Sequence, residues 1–331
     1  MTAHSIAAIF AAAAWTTQPR SEHPSGTPER TSDPPLAFDF AKQHGASILT
    51  DVDMSAAGVS EAAFKVFGSS LVAVQAPVHV GTNNFGFKAG TPITNDEARP
   101  AHVDTIIQYS VVPYEAPDYF MLCARRPSPG GESFLASLPA AIRRMPKESQ
   151  AYVNGSLEFI QRVNLPPGYD RLSENNTDFT QPASEEEAAP PPPIDRVERF
   201  VFANPRGRPA HRVSSCSDAE SMLAAFETET TPPVRPLESA ADPELDKKVV
   251  MEYLHAVAAE SAEAARFRLE EGECAIVDNY LVAHGREAYS DLDRALWQIW
   301  AWTNESLAVP ESPGPNREWM LHPSKKRKEE L

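Results

Sequence analysis

The sequence predicts a β-rich core with helices packed on its outside. Three observations carry that expectation. Apolar strand-like runs and helical runs are interspersed along the chain, without the regular alternation of a doubly wound parallel sheet. No GxGxxG or GxxxxGK[ST] phosphate loop is present, which weakens a nucleotide-cofactor reading. The last apolar run, Leu296 to Trp302, is heavily aromatic and of β-type composition.

Residues 6–15 (IAAIFAAAAW) form the one sustained apolar run and read as an N-terminal helix packed on the body. The run is shorter than the roughly 20 residues a bilayer span needs. It lacks the Lys/Arg-rich lead of a signal peptide, since only His4 precedes it. Residues 17–35 are rich in Pro, Ser and Thr and read as a linker. An α/β opening follows over 36–75. Ala46 to Leu49 is strand-like, Ser60 to Phe67 is helical with Ser60 as a candidate N-cap, and Leu71 to Val74 is a second short strand. Thr105 to Val112 and Tyr119 to Cys123 are β-type runs separated by Pro113 and Pro117. Leu135 to Met145 reads as a helix.

Residues 164–195 have almost no periodicity and run into four consecutive prolines. Such a segment is either a disordered insert or a long loop over a site. Val201-Phe202 reads as strand, with a turn at Asn204-Pro205-Arg206-Gly207. The clearest helix spans 242–260, with Asp242 placed to cap it and Pro243 at its first position. Leu245, Val249, Val250, Tyr253, Leu254 and Val257 fall on one face at helical spacing. Gly272 then leads into the strand Cys274 to Val277.

Composition narrows the function. The 331 residues carry 30 Lys+Arg against 46 Asp+Glu, a formal charge of −16. That balance argues against nucleic-acid binding, which needs clustered basic residues. The 42% apolar content supports a real core. Three cysteines cannot build a disulfide framework, and no CxxC pair offers a thiolate zinc site. Prolines outnumber glycines, 31 to 15, as in long stiffened loops. The C-terminal SKKRKEEL is a solvated charged tail, and its basic run is a weak localisation signal. A cytoplasmic protein without a membrane segment is expected, with a homo-oligomer left open.

Two of the nine histidines stand out by context. His102-Val103-Asp104 precedes a β-type run, and residues two apart in extended chain project to one face. An imidazole and a carboxylate can thus point at one ion. His284 follows the strand 274–277. Two imidazoles and one carboxylate make the facial triad of non-haem iron(II) oxygenases, with open positions for a chelating co-substrate and O2. Arg294 lies ten residues beyond His284 and shares a strand face with Gln298. A guanidinium there can grip a carboxylate bidentately, and a buried unpaired charge would be costly. A structural salt bridge is the alternative role for Arg294.

Four ordered stretches then resemble one family. They are His102-Val103-Asp104; Pro127-Ser128-Pro129-Gly130-Gly131-Glu132-Ser133; the run from Gly272 through Asp278-Asn279 to His284-Gly285-Arg286; and Arg294 with its aromatic strand. Together they resemble the TauD/TfdA, or taurine dioxygenase-like, Fe(II)/2-oxoglutarate-dependent oxygenases. The resemblance implies a double-stranded β-helix, the cupin-like jelly roll, as a single domain over 36–310. Residues 1–35 and 311–331 would be partly flexible ends. It implies His102, Asp104 and His284 as iron ligands, and Arg294 assisted by Ser133 on the distal carboxylate of 2-oxoglutarate. The implied reaction is hydroxylation or desaturation of an unactivated C–H in a small molecule, with release of succinate and CO2. The substrate class would be a natural-product intermediate or amino-acid-like compound.

Candidate substrate contacts are Gln298, Trp300, Thr105, Asn83 and Asn84. Asn279 would orient the turn before His284 or serve only that turn. Many relatives carry a second Arg where this chain has Gln298, so a sulfonate is less suited to that spot. Related halogenases replace the carboxylate ligand with a small residue, whereas Asp104 is present here. A zinc hydrolase on the same ligands would need an acid or base beside the metal, and no HExxH run occurs. A non-catalytic barrel would not require the triad together with Arg294.

Overall fold

A computed structural model describes residues 27–81, 99–104, 116–155, 157–163, 194–199, 201–203, 209–211, 234–237, 239–289, 293–310 and 319–320. The chain opens with β1 (Arg30–Thr31), α1 (Pro34–His44), β2 (Ala46–Leu49), α2 (Ala56–Phe67), β3 (Leu71–Val74), β4 (Val78–Gly81) and β5 (Arg99–His102). Next come β6 (Tyr119–Arg126), β7 (Ser133–Ser137), α3 (Leu138–Arg144), α4 (Lys147–Gly155) and β8 (Glu158–Val163). Then follow β9 (Ile194–Arg199), β10 (Val201–Ala203), β11 (Pro209–His211), β12 (Val234–Pro236) and α5 (Pro243–Glu263). The last strands are β13 (Arg266–Phe267), β14 (Cys274–Asp278), β15 (Val282–Arg286) and β16 (Ala295–Thr303).

Two facing sheets make the core. The larger has the order β1-β2-β14-β6-β16-β3, with β4 also paired to β16. The smaller has the order β13-β7-β15-β5. Side chains of the large sheet alternate cleanly between its two faces, as the period of two requires. Phe120, Ala124, Ala275, Val277, Leu296, Trp300 and Trp302 point inward and meet Val282 and Leu135 of the small sheet. Tyr119, Met121, Cys123, Cys274, Ile276, Ile299 and Ala301 point outward and are covered by α1 and α2. On the other side, Phe134, Ala136 and Ala283 face α3, α4 and α5. The result is a double-stranded β-helix with helices outside both sheets.

Local sequence accounts for the helix ends. Asp33 caps α1 by accepting from the Leu36 amide, and Gly45 closes it at φ 85°. Asp242 accepts from the Leu245 amide, and Pro243 occupies the first turn of α5 as expected. The face predicted for α5 is the buried one, with Val249, Val250, Tyr253 and Leu254 inaccessible to solvent.

Two expectations are corrected, and one feature is added that no expectation covered. Helix α2 begins at Ala56, not at Ser60, because Ser55 supplies the cap to the Gly58 amide. The Ser60 hydroxyl instead turns back onto the Ala56 carbonyl. The helix expected over Leu135–Met145 is a strand to Ser137 and a helix only from Leu138. Residues 133–137 are taken by pairing with β15, while Pro139 sits in the first turn of α3, where its missing N–H is harmless. Finally, Cys123 and Cys274 lie directly opposite each other on β6 and β14 and form a disulfide. A single cross-strand pair has no spacing signature, so the cysteine count could not show it. The segments 6–15, 105–112, 164–193 and 204–207 lie outside the described residues.

Candidate metal and active site

The site lies between the two sheets. His102 ends β5 and His284 sits in β15, and the two are directly paired across the strands. Their rings stand 4.2 Å apart, centroid to centroid. Asp104 follows His102 by two residues. Ala101 and Val103 point out toward the helices, so His102 and Asp104 share the inward face, as the spacing predicts. The donor atoms of His102, Asp104 and His284 all lie within 4.8 Å of one another. His284 Nε2 and Asp104 Oδ1 are 3.7 Å apart, beyond hydrogen-bond length. Two imidazoles and one carboxylate at this spacing fit a divalent transition metal. Phe120 closes the site from the large sheet, 4.4 Å from the His284 ring.

Asp104 is held on both its ends. Its Oδ2 accepts hydrogen bonds from Gln298 Nε2 at 2.9 Å and from Trp300 Nε1 at 2.8 Å. Its backbone is gripped by Asn279, whose Oδ1 accepts from the Asp104 amide at 2.8 Å while Nδ2 donates to the Asp104 carbonyl at 2.7 Å. The same Nδ2 donates to the Pro117 carbonyl at 2.7 Å. Asn279 therefore does more than shape its own turn: it ties the loop after β14 to the segment bearing Asp104, 175 residues away. Gln298 and Trp300, expected as substrate contacts, each give an N–H to the Asp104 carboxylate. A sequence supplies no sign of either link, because both join residues far apart in the chain.

Arg294 precedes β16 and is largely buried. Burial holds its guanidinium below the ordinary arginine range, opposed by Tyr289. Its guanidinium lies over the Tyr289 ring at 4.9 Å, and Arg286 covers that ring at 4.7 Å. Among the described residues no carboxylate pairs with Arg294. The neighbouring Asp293 pairs with Arg126 instead. Ser133 opens β7 opposite Arg286, two residues past His284.

The glycine pair of the Pro127–Ser133 stretch has a steric reason. Gly130 and Gly131 both adopt positive φ, 77° and 67°. A Cβ on Gly131 would come within 3.0 Å of the Tyr289 ring. The two glycines thus let Tyr289 dock beside Arg294. Thr105, Asn83 and Asn84 lie outside the described residues.

A jelly roll with two imidazoles and a carboxylate converging between its sheets is the scaffold of non-haem iron oxygenases. The sequence matches the model of the taurine catabolism dioxygenase TauD, TfdA family over residues 35–300, and the chain belongs to that family. It is an oxygenase dependent on iron(II) and 2-oxoglutarate. Among solved structures, AAD-2 in complex with Mn(II) and N-oxalylglycine has a TM-score of 0.51 at 13% identity, covering 88% of this chain and 94% of that one. A taurine dioxygenase from Burkholderia xenovorans scores 0.49 at 16% identity, covering 88% and 86%. The PvcB protein from Pseudomonas aeruginosa scores 0.48 at 13% identity, covering 81% and 79%. No curated protein matches the chain in sequence. Among the described residues no helix is long and apolar enough to cross a membrane.

Proposed function

We propose that His102, Asp104 and His284 hold the iron(II), that Arg294 with Ser133 binds the distal carboxylate of 2-oxoglutarate, and that the enzyme hydroxylates or desaturates an unactivated C–H of a small molecule. The observation that carries this reading is the inward convergence of the three donor atoms within 4.8 Å. The bound iron, 2-oxoglutarate and O2 supply the oxidising chemistry, with succinate and CO2 as co-products. The chain supplies geometry. The β5–β15 pairing sets the two imidazoles side by side, and the inward turn of Asp104 brings its carboxylate beside them, so that the three would hold one cation. Buried Arg294 lacks an acidic partner among the described residues, which suits it to a dicarboxylate tail. The Tyr289 ring packed under its guanidinium supports it in that role.

The substrate is a natural-product intermediate or amino-acid-like compound. Position 298 is neutral and its amide serves Asp104. An anionic group such as a sulfonate would find no cation there.

The test is succinate formation from 2-oxoglutarate with Fe(II) and ascorbate, screened against amino acids and related small molecules. Wild type forms succinate, and an accepted substrate raises the rate and gains a hydroxyl or an alkene by mass spectrometry. His102→Ala and Asp104→Ala abolish both. Turnover that survives either change would overturn the ligand assignment.

A further inference from the structure

Gln298 and Trp300 lie two residues apart on the inner face of β16, in the sheet opposite the one that carries His102 and His284. Both send an N–H across the interior to one atom, Oδ2 of Asp104. All three side chains are buried, at 8%, 5% and 7% exposure. An ionised carboxylate can only accept, and an indole N–H can only donate. The direction of both bonds is therefore settled by chemistry. With Oδ2 tied to the large sheet, Oδ1 is the oxygen left toward His284 Nε2.

We infer that Gln298 and Trp300 are positioning residues that hold Asp104 as a one-oxygen ligand and so keep a coordination position open beside it. This rests on the metal-site reading above. The physical reason lies in the carboxylate's two oxygens. A freely rotating Asp can present both to a cation and occupy two positions. Two hydrogen bonds to Oδ2 restrain that rotation and give the second oxygen another partner. Both donors are neutral, so they leave the full negative charge of Asp104 for the cation. An arginine at position 298 would share that charge and weaken the ligand. Partners of this kind typically tune metal affinity by about 10–100-fold.

The experiment uses the full chain, stripped of metal, with Co(II) as the probe. Affinity is read by calorimetry and coordination number by the intensity of the visible d–d bands. Gln298→Met conserves side-chain length and Trp300→Phe conserves a ring, and each removes one N–H. Each is expected to weaken Co(II) binding by about 10-fold, and the pair by up to about 100-fold. The d–d bands should lose intensity as the released carboxylate fills a further position. Trp302→Phe is the packing control: it lies fully buried on the same strand face. It should lower the melting temperature without moving the Co(II) affinity or spectrum. If both test variants, singly, bind Co(II) within threefold of wild type with unchanged bands, the inference is overturned. If wild type takes up no Co(II), or His102→Ala binds it equally well, the metal-site reading itself has failed, and the inference falls with it.

Discussion

Replacing Asn279 should cost more stability than any single surface change. Its side chain is 2% exposed and makes three hydrogen bonds, to the Asp104 amide, the Asp104 carbonyl and the Pro117 carbonyl. Asn279→Leu removes the amide but keeps its branched outline, and the larger methyl groups admit no water. Three buried backbone groups then lose their partners. Each unsatisfied group costs about 1–3 kcal/mol, so the expected loss is at least about 3 kcal/mol. Asn279→Asp should be comparably damaging despite its shape, because a carboxylate oxygen would face two carbonyl oxygens at the Nδ2 position. The assay is urea denaturation followed by far-UV circular dichroism, comparing midpoints at constant slope. Because the same amide holds the segment bearing Asp104, Co(II) affinity of the folded variant should fall about 10-fold as well. A stability loss under about 1 kcal/mol with unchanged metal affinity would show that Asn279 does not support this segment, since about 1 kcal/mol is the net worth of one typical hydrogen bond.

Other perturbations give sharper local tests. Arg294→Lys should raise the dissociation constant for 2-oxoglutarate about 10–100-fold, the worth of a charged bidentate hydrogen bond; calorimetry with N-oxalylglycine measures it without turnover. Gly131→Ala should weaken the same binding by displacing Tyr289 from Arg294, and an alanine at φ 67° adds about 1 kcal/mol of backbone strain, read from the melting curve. Tyr152, bonded to Asp246, has its phenol pushed up to about 12, mainly by that hydrogen bond and then by burial. Its folded value lies above the unfolded one of roughly 10. The stabilisation is therefore fully present below pH of about 10 and is lost as pH rises through about 12. The 295 nm titration of wild type minus Tyr152→Phe should show that late midpoint. Thiol titration of denatured, unreduced protein should count one free cysteine, rising to three after reduction, because Cys123 and Cys274 are bonded.

Much of the molecule was determined by local sequence alone. Asp242, Pro243 and the apolar face from Leu245 to Val257 set the longest helix, since caps and a helical stripe are short-range signals. The i, i+2 spacing of His102 and Asp104 put both on one face of an extended segment, a property of any strand. The ordered motifs assigned the family before any fold was in view. Other features were decided only in three dimensions. Residues 135–137 became strand because β15 offered a hydrogen-bonding edge, which outweighed local helical character. Cys123 met Cys274 because β6 and β14 came into register. Above all, the setting of Asp104 belongs to the tertiary structure. Asn279, Gln298 and Trp300 lie 175, 194 and 196 residues away, and they converge on one side chain only when the two sheets close. A sequence can display the ligands of a metal, because their chemistry is in the residue types. The groups that hold Asp104 are ordinary amides and an indole, and only the fold brings them to it.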